Sequence, residues 1–234
     1  MRVAVISDIH SNVLALQAVL DDIARTGVDE TWLAGDTFGY YPWASSTFAA
    51  VQSEAMVAVL GNHDRWVASG QDVPDDVAGR VALHNAEQLH HESPAALVWL
   101  ASLPLFRRLE RNGWSVTMTH GTPADPLEGR YYPDDAQNHD WLPGRHEILI
   151  LGQTHYPILR ETSDGGLVLN PGSVGQPRDG DPMPSWAVLD LETGRAELRR
   201  TAYDNAEAMR RLRSAGWDDR VTAALDRRRS PEAP

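Results

Sequence analysis

Asp8 and His10 stand two residues apart at the end of the apolar run Val3-Ala4-Val5-Ile6. A carboxylate and an imidazole aimed at one point are half of a site for a divalent cation. The same arrangement recurs along the chain. Asp36 follows Thr31-Trp32-Leu33-Ala34, and Asn62 and His63 follow Met56-Val57-Ala58-Val59-Leu60. His120 follows the run at 114–119, and His155 follows the run at 147–151. A single strand-end histidine is most often a satisfied loop residue. Asp, Asn or His arriving from five strands need a common partner, because polar groups packed that densely must be paired. Two divalent cations are such a partner: Asp supplies charge and can bridge, His supplies a neutral nitrogen, and Asn supplies an amide oxygen. The chain has no cysteine, which excludes thiolate sites and disulfides and leaves nitrogen and oxygen ligands.

These side chains act together only if their strands lie side by side and end on one edge. Residues i and i+2 of a strand face the same side, so Asp8 and His10 are expected to leave the first strand together. Residues 12–26 place Val13, Leu14, Leu16, Val19, Leu20 and Ile23 at helical spacing, with Ser11 or Asn12 as cap and Gly27 as stop. Strand, helix and strand make a parallel crossover unit. A helix over 45–53 leads to the third strand. Residues 75–102 read as helical, restarting at Ser93-Pro94, with His84, His90 and His91 on the solvated face. Strands at 105–110 and 114–119 form a hairpin around Asn112-Gly113. Strands at 147–151, 158–160 and 167–169 follow, then a hairpin of 186–191 and 195–202 and a helix over 205–214. Crossover units first and antiparallel strands later predict an α/β fold of two sheets face to face with helices outside. The site is expected beyond the carboxyl ends of the strands. One domain is expected over residues 1–217, with 218–234 a charged extension that frays.

The 234 residues, 42% hydrophobic and 23% charged, have the balance of a globular protein. No apolar run reaches the roughly eighteen residues of a transmembrane helix, and no secretory signal precedes the first strand, so a cytoplasmic protein without a membrane partner is expected. The net charge of −12 would repel a polyanion, so a nucleic acid duplex is not an expected partner.

Asp8-Ile9-His10, Gly35-Asp36-Thr37-Phe38-Gly39, Gly61-Asn62-His63-Asp64, Thr119-His120-Gly121 and Gly152-Gln153-Thr154-His155 follow in that order over residues 8–155. Together they resemble the motif set of the calcineurin-like metallophosphoesterases. The small bacterial phosphodiesterase branch, which carries a turn like Asn170-Pro171-Gly172-Ser173, is especially similar. The resemblance implies a four-layer αββα sandwich with two mixed β-sheets. It also implies hydrolysis of a small phosphoester, diester or monoester, by water activated between two divalent ions. Mn²⁺ is the first expectation, with iron, zinc or nickel as alternatives, and homo-oligomerisation is compatible with it. By the same resemblance Asp8, His10, Asp36 and His155 hold the first ion, and Asp36 bridges to a second held by Asn62 and His120. His63 is the implied catalytic histidine, stabilising the phosphoryl group and protonating the leaving oxygen. The departure is Gln153, where the family usually has a histidine ligand for the second ion. An amide oxygen is a weaker donor than imidazole. The second site is then expected to bind weakly, to prefer a harder ion, or to fill only with substrate.

Several neighbouring residues have two readings each. Asp64 orients His63 or caps a helix. Gly172-Ser173-Val174-Gly175 presents N–H groups to an anion or is a tight turn. Arg178 pairs with a phosphate or is a surface cation. Tyr40, Tyr41 and Trp43 stack on substrate or cover a core edge. The segment at 122–145 is long for a loop, and Tyr131, Tyr132 and His139 are lid candidates. A scaffold or binding protein with a degraded second site, as in the retromer subunit of this fold, is the alternative that Gln153 favours. An intact His63 favours an enzyme, with a protein serine/threonine phosphatase as the other enzymatic reading.

Overall fold

The computed structural model describes residues 1–135 and 139–226. The apolar run expected to be central is so: β1 (Arg2–Ile6) has Val3, Ala4, Val5 and Ile6 fully buried. Helix α1 (Val13–Thr26) crosses to β2 (Glu30–Leu33), and α2 (Ala44–Ser53) leads to β3 (Val57–Ala58). Three helices follow, α3 (Asn62–Ser69), α4 (Val77–Glu92) and α5 (Pro94–Ser102). Next come β4 (Phe106–Arg111), β5 (Trp114–Thr119), β6 (Glu147–Ile150), β7 (Ile158–Glu161) and β8 (Leu167–Asn170). The chain closes with β9 (Ser185–Asp190), β10 (Arg195–Arg200), α6 (Asn205–Ser214) and α7 (Asp219–Ala223). Two mixed five-stranded sheets result, ordered β10-β9-β1-β2-β3 and β4-β5-β6-β8-β7.

Period-two alternation divides the core. Val3 and Val5 join Trp32 and Val59 against Val116, Met118, Ile148 and Ile150 of the other sheet. Ala4 and Ile6 face the opposite way, onto Leu16, Val19, Leu20 and Ile23 of α1. On the outer face of the second sheet Tyr131, Trp141 and Leu142 cover Leu149, Ile158 and Val168. Tyr131 is only 2% exposed, so it is a core residue and not a lid. His139 stacks on Trp141 at 4.7 Å, and Tyr132 packs edge-on to Tyr156 at 5.8 Å. Burying one such aromatic side chain contributes about 1.5–3 kcal/mol.

Two expectations need correction, on the third strand and the C-terminal segment, and the structure decides between the two readings of Asp64. The third strand pairs over two residues only, because the chain turns into α3, a helix not expected from the sequence. Asp64 accepts from Gly61 N at 3.2 Å and from Phe38 N at 3.0 Å; it caps α3 and ties it to the Asp36 loop, and it does not orient His63. Fraying does not begin at 218. Val221 and Leu225 are buried beside Tyr41, Val81, Ala208 and Leu212, while 227–234 lie outside the described residues. His84, His90 and His91 are exposed, as expected. No helix among the described residues is long and apolar enough to cross a membrane.

Candidate metal centre

Asp8 and His10 do converge, but not through strand alternation. β1 stops at Ile6, and the residues after it take left-handed backbone: Asp8 (φ 54), His10 (φ 51) and Ser11 (φ 61), with Asp36 (φ 53), Gln153 (φ 68) and His155 (φ 63) alike. Side chains other than glycine rarely adopt that region, and such strain concentrates at functional sites. Hydrogen bonds hold it. Asp8 N donates to Gly35 O (3.0 Å), His10 N to Asp36 O (3.0 Å) and Ser11 N to Thr37 O (2.9 Å), lacing the first two loops together. The turn at 172–175 braces the other side. Val174 N donates to Ser7 O (3.0 Å), Gly175 N to Asp8 O (2.9 Å) and Ser173 Oγ to Asp8 O (2.8 Å). These N–H groups are occupied, so the turn supports Asp8 and does not present them to an anion. Gly61 is needed for close approach, since a Cβ there would overlap the Asp36 carboxylate.

Three imidazoles are pinned through Nδ1: His10 on Phe38 O (3.2 Å), His120 on Ala34 O (2.8 Å) and His155 on Gln176 O (2.6 Å). An Nδ1–H bonded to a carbonyl fixes the tautomer and turns the Nε2 lone pair inward. His10 Nε2 and His155 Nε2 face each other at 3.0 Å. Asp8 Oδ1 lies 3.3 Å from His155 Nε2, and Asp36 Oδ2 lies 3.4 Å from His120 Nε2 and 3.7 Å from His10 Nε2. Donors about 2.1 Å from one ion are roughly 3.0–3.4 Å apart at right-angled to tetrahedral geometry, so the spacings of 3.0, 3.3 and 3.4 Å fit shared cations, and the 3.7 Å pair is wider. Both Asp8 oxygens, Asn62 Oδ1, His63 Nδ1 and His120 Nε2 are buried without a hydrogen-bond partner, and a cation answers that deficit. Asp8, His10 and His155 form one group able to hold an ion; Asp8, Asp36 and His120 form another.

The electrostatics point the same way. Burial lowers the pKa values of His10 and His155, keeping them neutral as ligands must be. Burial lowers His63 to about 4. Burial also opposes charge on His120, yet the Asp36 carboxylate raises it to about 10. Burial alone would raise Asp36, but His120 and His63 hold it below the usual carboxylate range. Asp36 therefore draws positive charge to itself, as a proton on His120 or as a cation. Burial, aided by Asp36, pushes Asp64 up to about 7.

His63 lies nearer the ligand set than a bystander would. It groups with His10 and Asp36 as a potential ligand, and its backbone N–H donates to Asp36 Oδ1 at 2.9 Å. Gln153 turns its amide nitrogen to Leu127 O at 2.9 Å. Tyr40 lies against His10 (4.6 Å between centroids) and His63 (4.7 Å). Arg178 donates to Tyr40 Oη at 3.1 Å, so both reach the centre. Tyr41 does not: it is fully buried, stacked on Trp43 at 6.2 Å, so these two aromatics serve the core. Sequence reasoning missed Asn85 and Glu128. Asn85 bonds Ser11 Oγ (2.7 Å), Gly39 N (2.9 Å) and Tyr41 O (2.9 Å), fixing both site loops. Its place on the Val81–Leu89 stripe of α4 was the available signal. Glu128, which accepts from Asn62 Nδ2 at 3.2 Å, had none.

Residues 1–194 match the family model of the calcineurin-like phosphoesterase superfamily domain. An uncharacterised protein of Methanocaldococcus jannaschii is 30% identical over 231 residues, spanning 90% of this chain and 91% of that one. A metallophosphoesterase from Sphaerobacter thermophilus is similar at 28% identity and a TM-score of 0.75, over 97% of this chain and 98% of that one. A hypothetical protein from Pyrococcus horikoshii shares the fold at 20% identity and a TM-score of 0.84, over 97% and 98% of the two chains.

Proposed function

The chain belongs to the calcineurin-like phosphoesterase superfamily, and from that premise we propose that it hydrolyses a small phosphoester at a two-ion centre. Asp8, His10, Asp36 and His155 would hold one ion, and Asp36, Asn62, His120 and Gln153 the other, with Mn²⁺ as the first candidate. Bound there, the ions would supply Lewis acidity, acidifying water and offsetting phosphate charge. His63 reaches the same centre from the start of α3, where its ring can hydrogen-bond the phosphoryl oxygens and serve the leaving oxygen. Arg178 and Tyr40 stand at one side, a guanidinium and a phenol suited to a phosphate and its ester group. A cavity of about 290 Å³ lined by Tyr40, Gln176, Val77, Ala78, Val221 and Arg220 adjoins them and offers room for a leaving group.

The observation that carries this reading is the facing pair His10 Nε2 and His155 Nε2, 3.0 Å apart beside Asp8. Two inward lone pairs at that distance repel unless a cation lies between them. The test is metal analysis of the purified protein, then turnover of phosphomonoester and phosphodiester substrates with Mn²⁺ and with chelator. Chelator-sensitive hydrolysis is expected. Full metal loading with no hydrolysis of any substrate would favour the binding-protein reading that Gln153 suggests.

A further inference from the structure

This inference rests on the two-ion reading and concerns how the second half of the centre is assembled. Two of its candidate ligands, Asn62 and Gln153, are side-chain amides, and an amide ligates through its oxygen only. Turned over, it presents an NH₂ group that repels a cation. Two contacts decide the orientation. Gln153 Nε2 donates to Leu127 O at 2.9 Å; a carbonyl oxygen only accepts, so the amide nitrogen must face it. Asn62 Nδ2 donates to Glu128 Oε2 at 3.2 Å; a flipped amide would set oxygen against a carboxylate. Independently, Asn62 Oδ1 is buried without a hydrogen-bond partner, as expected of a donor reserved for an ion.

We propose that the turn at 121–129, directly after His120, organises the second cation site, with Glu128 as the positioning residue of Asn62 and the Leu127 carbonyl as the positioning group of Gln153. The turn is internally closed. Gly121 N donates to Pro126 O (2.7 Å) and Gly129 N to Asp125 O (3.0 Å). The Asp125 carboxylate accepts from Glu128 N at 3.1 Å. Arg65, one turn along α3 from Asn62, holds the other Glu128 oxygen at 3.4 Å. One turn thus sets two amides that arrive from the start of α3 and from the loop after β6. The outcome is a site of two amide oxygens, the Asp36 carboxylate and a single imidazole, beside a first site with two imidazoles. An oxygen-rich donor set suits Mn²⁺ or Mg²⁺ better than Zn²⁺, so the two sites differ in the ions they select.

The test is calorimetric titration of the metal-stripped protein with Mn²⁺, with Mn²⁺ paramagnetic resonance to count bound ions, for wild type, Glu128→Ala and Glu128→Gln. Wild type should show two binding events. Glu128→Ala should weaken the weaker event by about 10–100-fold, the usual effect of losing a partner behind a ligand, and leave the tighter event unchanged. Glu128→Gln keeps an acceptor oxygen and should stay close to wild type. Superimposable titrations of wild type and Glu128→Ala would overturn the inference and leave the two-ion reading standing. Equal loss in both variants would show that Glu128 supplies charge and not orientation, and loss at both events would show a general structural role; either overturns it. A single event in wild type would overturn the two-ion reading and this inference together.

Discussion

Asp8→Asn separates the stability of the fold from the demand of the centre for a cation. The Asp8 side chain is 0% exposed, and neither carboxylate oxygen has a hydrogen-bond partner. Besides His120, whose proton Asp36 Oδ2 pairs at 3.4 Å, the nearby groups able to carry positive charge are His155 Nε2 at 3.3 Å and His10 Nε2 at 3.7 Å. Burial pushes both towards the neutral form. In the chelated protein the two carboxylates Asp8 and Asp36 therefore share the one proton on His120, and the Asp8 charge is only partly compensated. A buried polar group left unsatisfied costs about 1–3 kcal/mol, and a charged one more. Asparagine keeps the shape and removes the charge. For a chain of 234 residues, each kcal/mol moves Tm by about 2–4 °C, so chelated Asp8→Asn should melt about 2–12 °C above chelated wild type. Added cation acts oppositely. At a free ion concentration of about 100 times Kd, binding stabilises wild type by about 2.7 kcal/mol, or about 5–11 °C, and Asp8→Asn should lose that rise. The assay is calorimetric melting of both proteins in chelator and across a Mn²⁺ series. A chelated variant that melts below wild type, or one that keeps the full Mn²⁺ response, refutes the reasoning.

Other tests probe neighbouring residues. His63→Gln should cut kcat by about 10²–10⁴-fold, the usual contribution of a positioned acid–base group, with metal content near wild type; loss of metal would make His63 a ligand. The same variant tests the pH dependence of stability. Burial lowers His63 from 6.5 to about 4, so the unfolded chain binds more protons between these values, and stability is full above about pH 6.5 and falls as pH drops towards 4. The His63 share is about 3 kcal/mol. Chelated wild type should therefore lose more Tm than His63→Gln between pH 7 and 4.5, while the opposite contribution of Asp64, raised to about 7, is common to both; parallel curves would contradict the assignment. Gln153→His should tighten the weaker Mn²⁺ event, about 1.4 kcal/mol for each tenfold, without altering the tighter one. Unchanged titration would place Gln153 outside the ligand set.

By itself the sequence determined the inventory of donors and the local elements that carry them. Apolar runs ending in Asp, Asn or His are local patterns, and the capping signals were local too: Asn12 Oδ1 accepts from Ala15 N at 3.2 Å, and Gly27 takes the left-handed stop at φ 67. Strand alternation gave the right convergence of Asp8 and His10 for the wrong reason. Their left-handed backbone is imposed by bonds to the Asp36 loop and to the turn at 172–175, which are remote in sequence. The tertiary structure alone decided between Tyr40 and Tyr41. These are adjacent and chemically alike, yet one lies against His10 and the other in the core, because opposite sides of one loop meet different partners. It also decided that Val221 and Leu225, an apolar pair among charges, are buried against Tyr41 and α6. Glu128 gave no signal: an exposed acid in a loop carries no pattern, and it meets Asn62 only when residues 66 positions apart are folded together. Polarity and propensity are properties of short stretches, whereas which donors share an ion, and what turns each of them, follows from long-range packing.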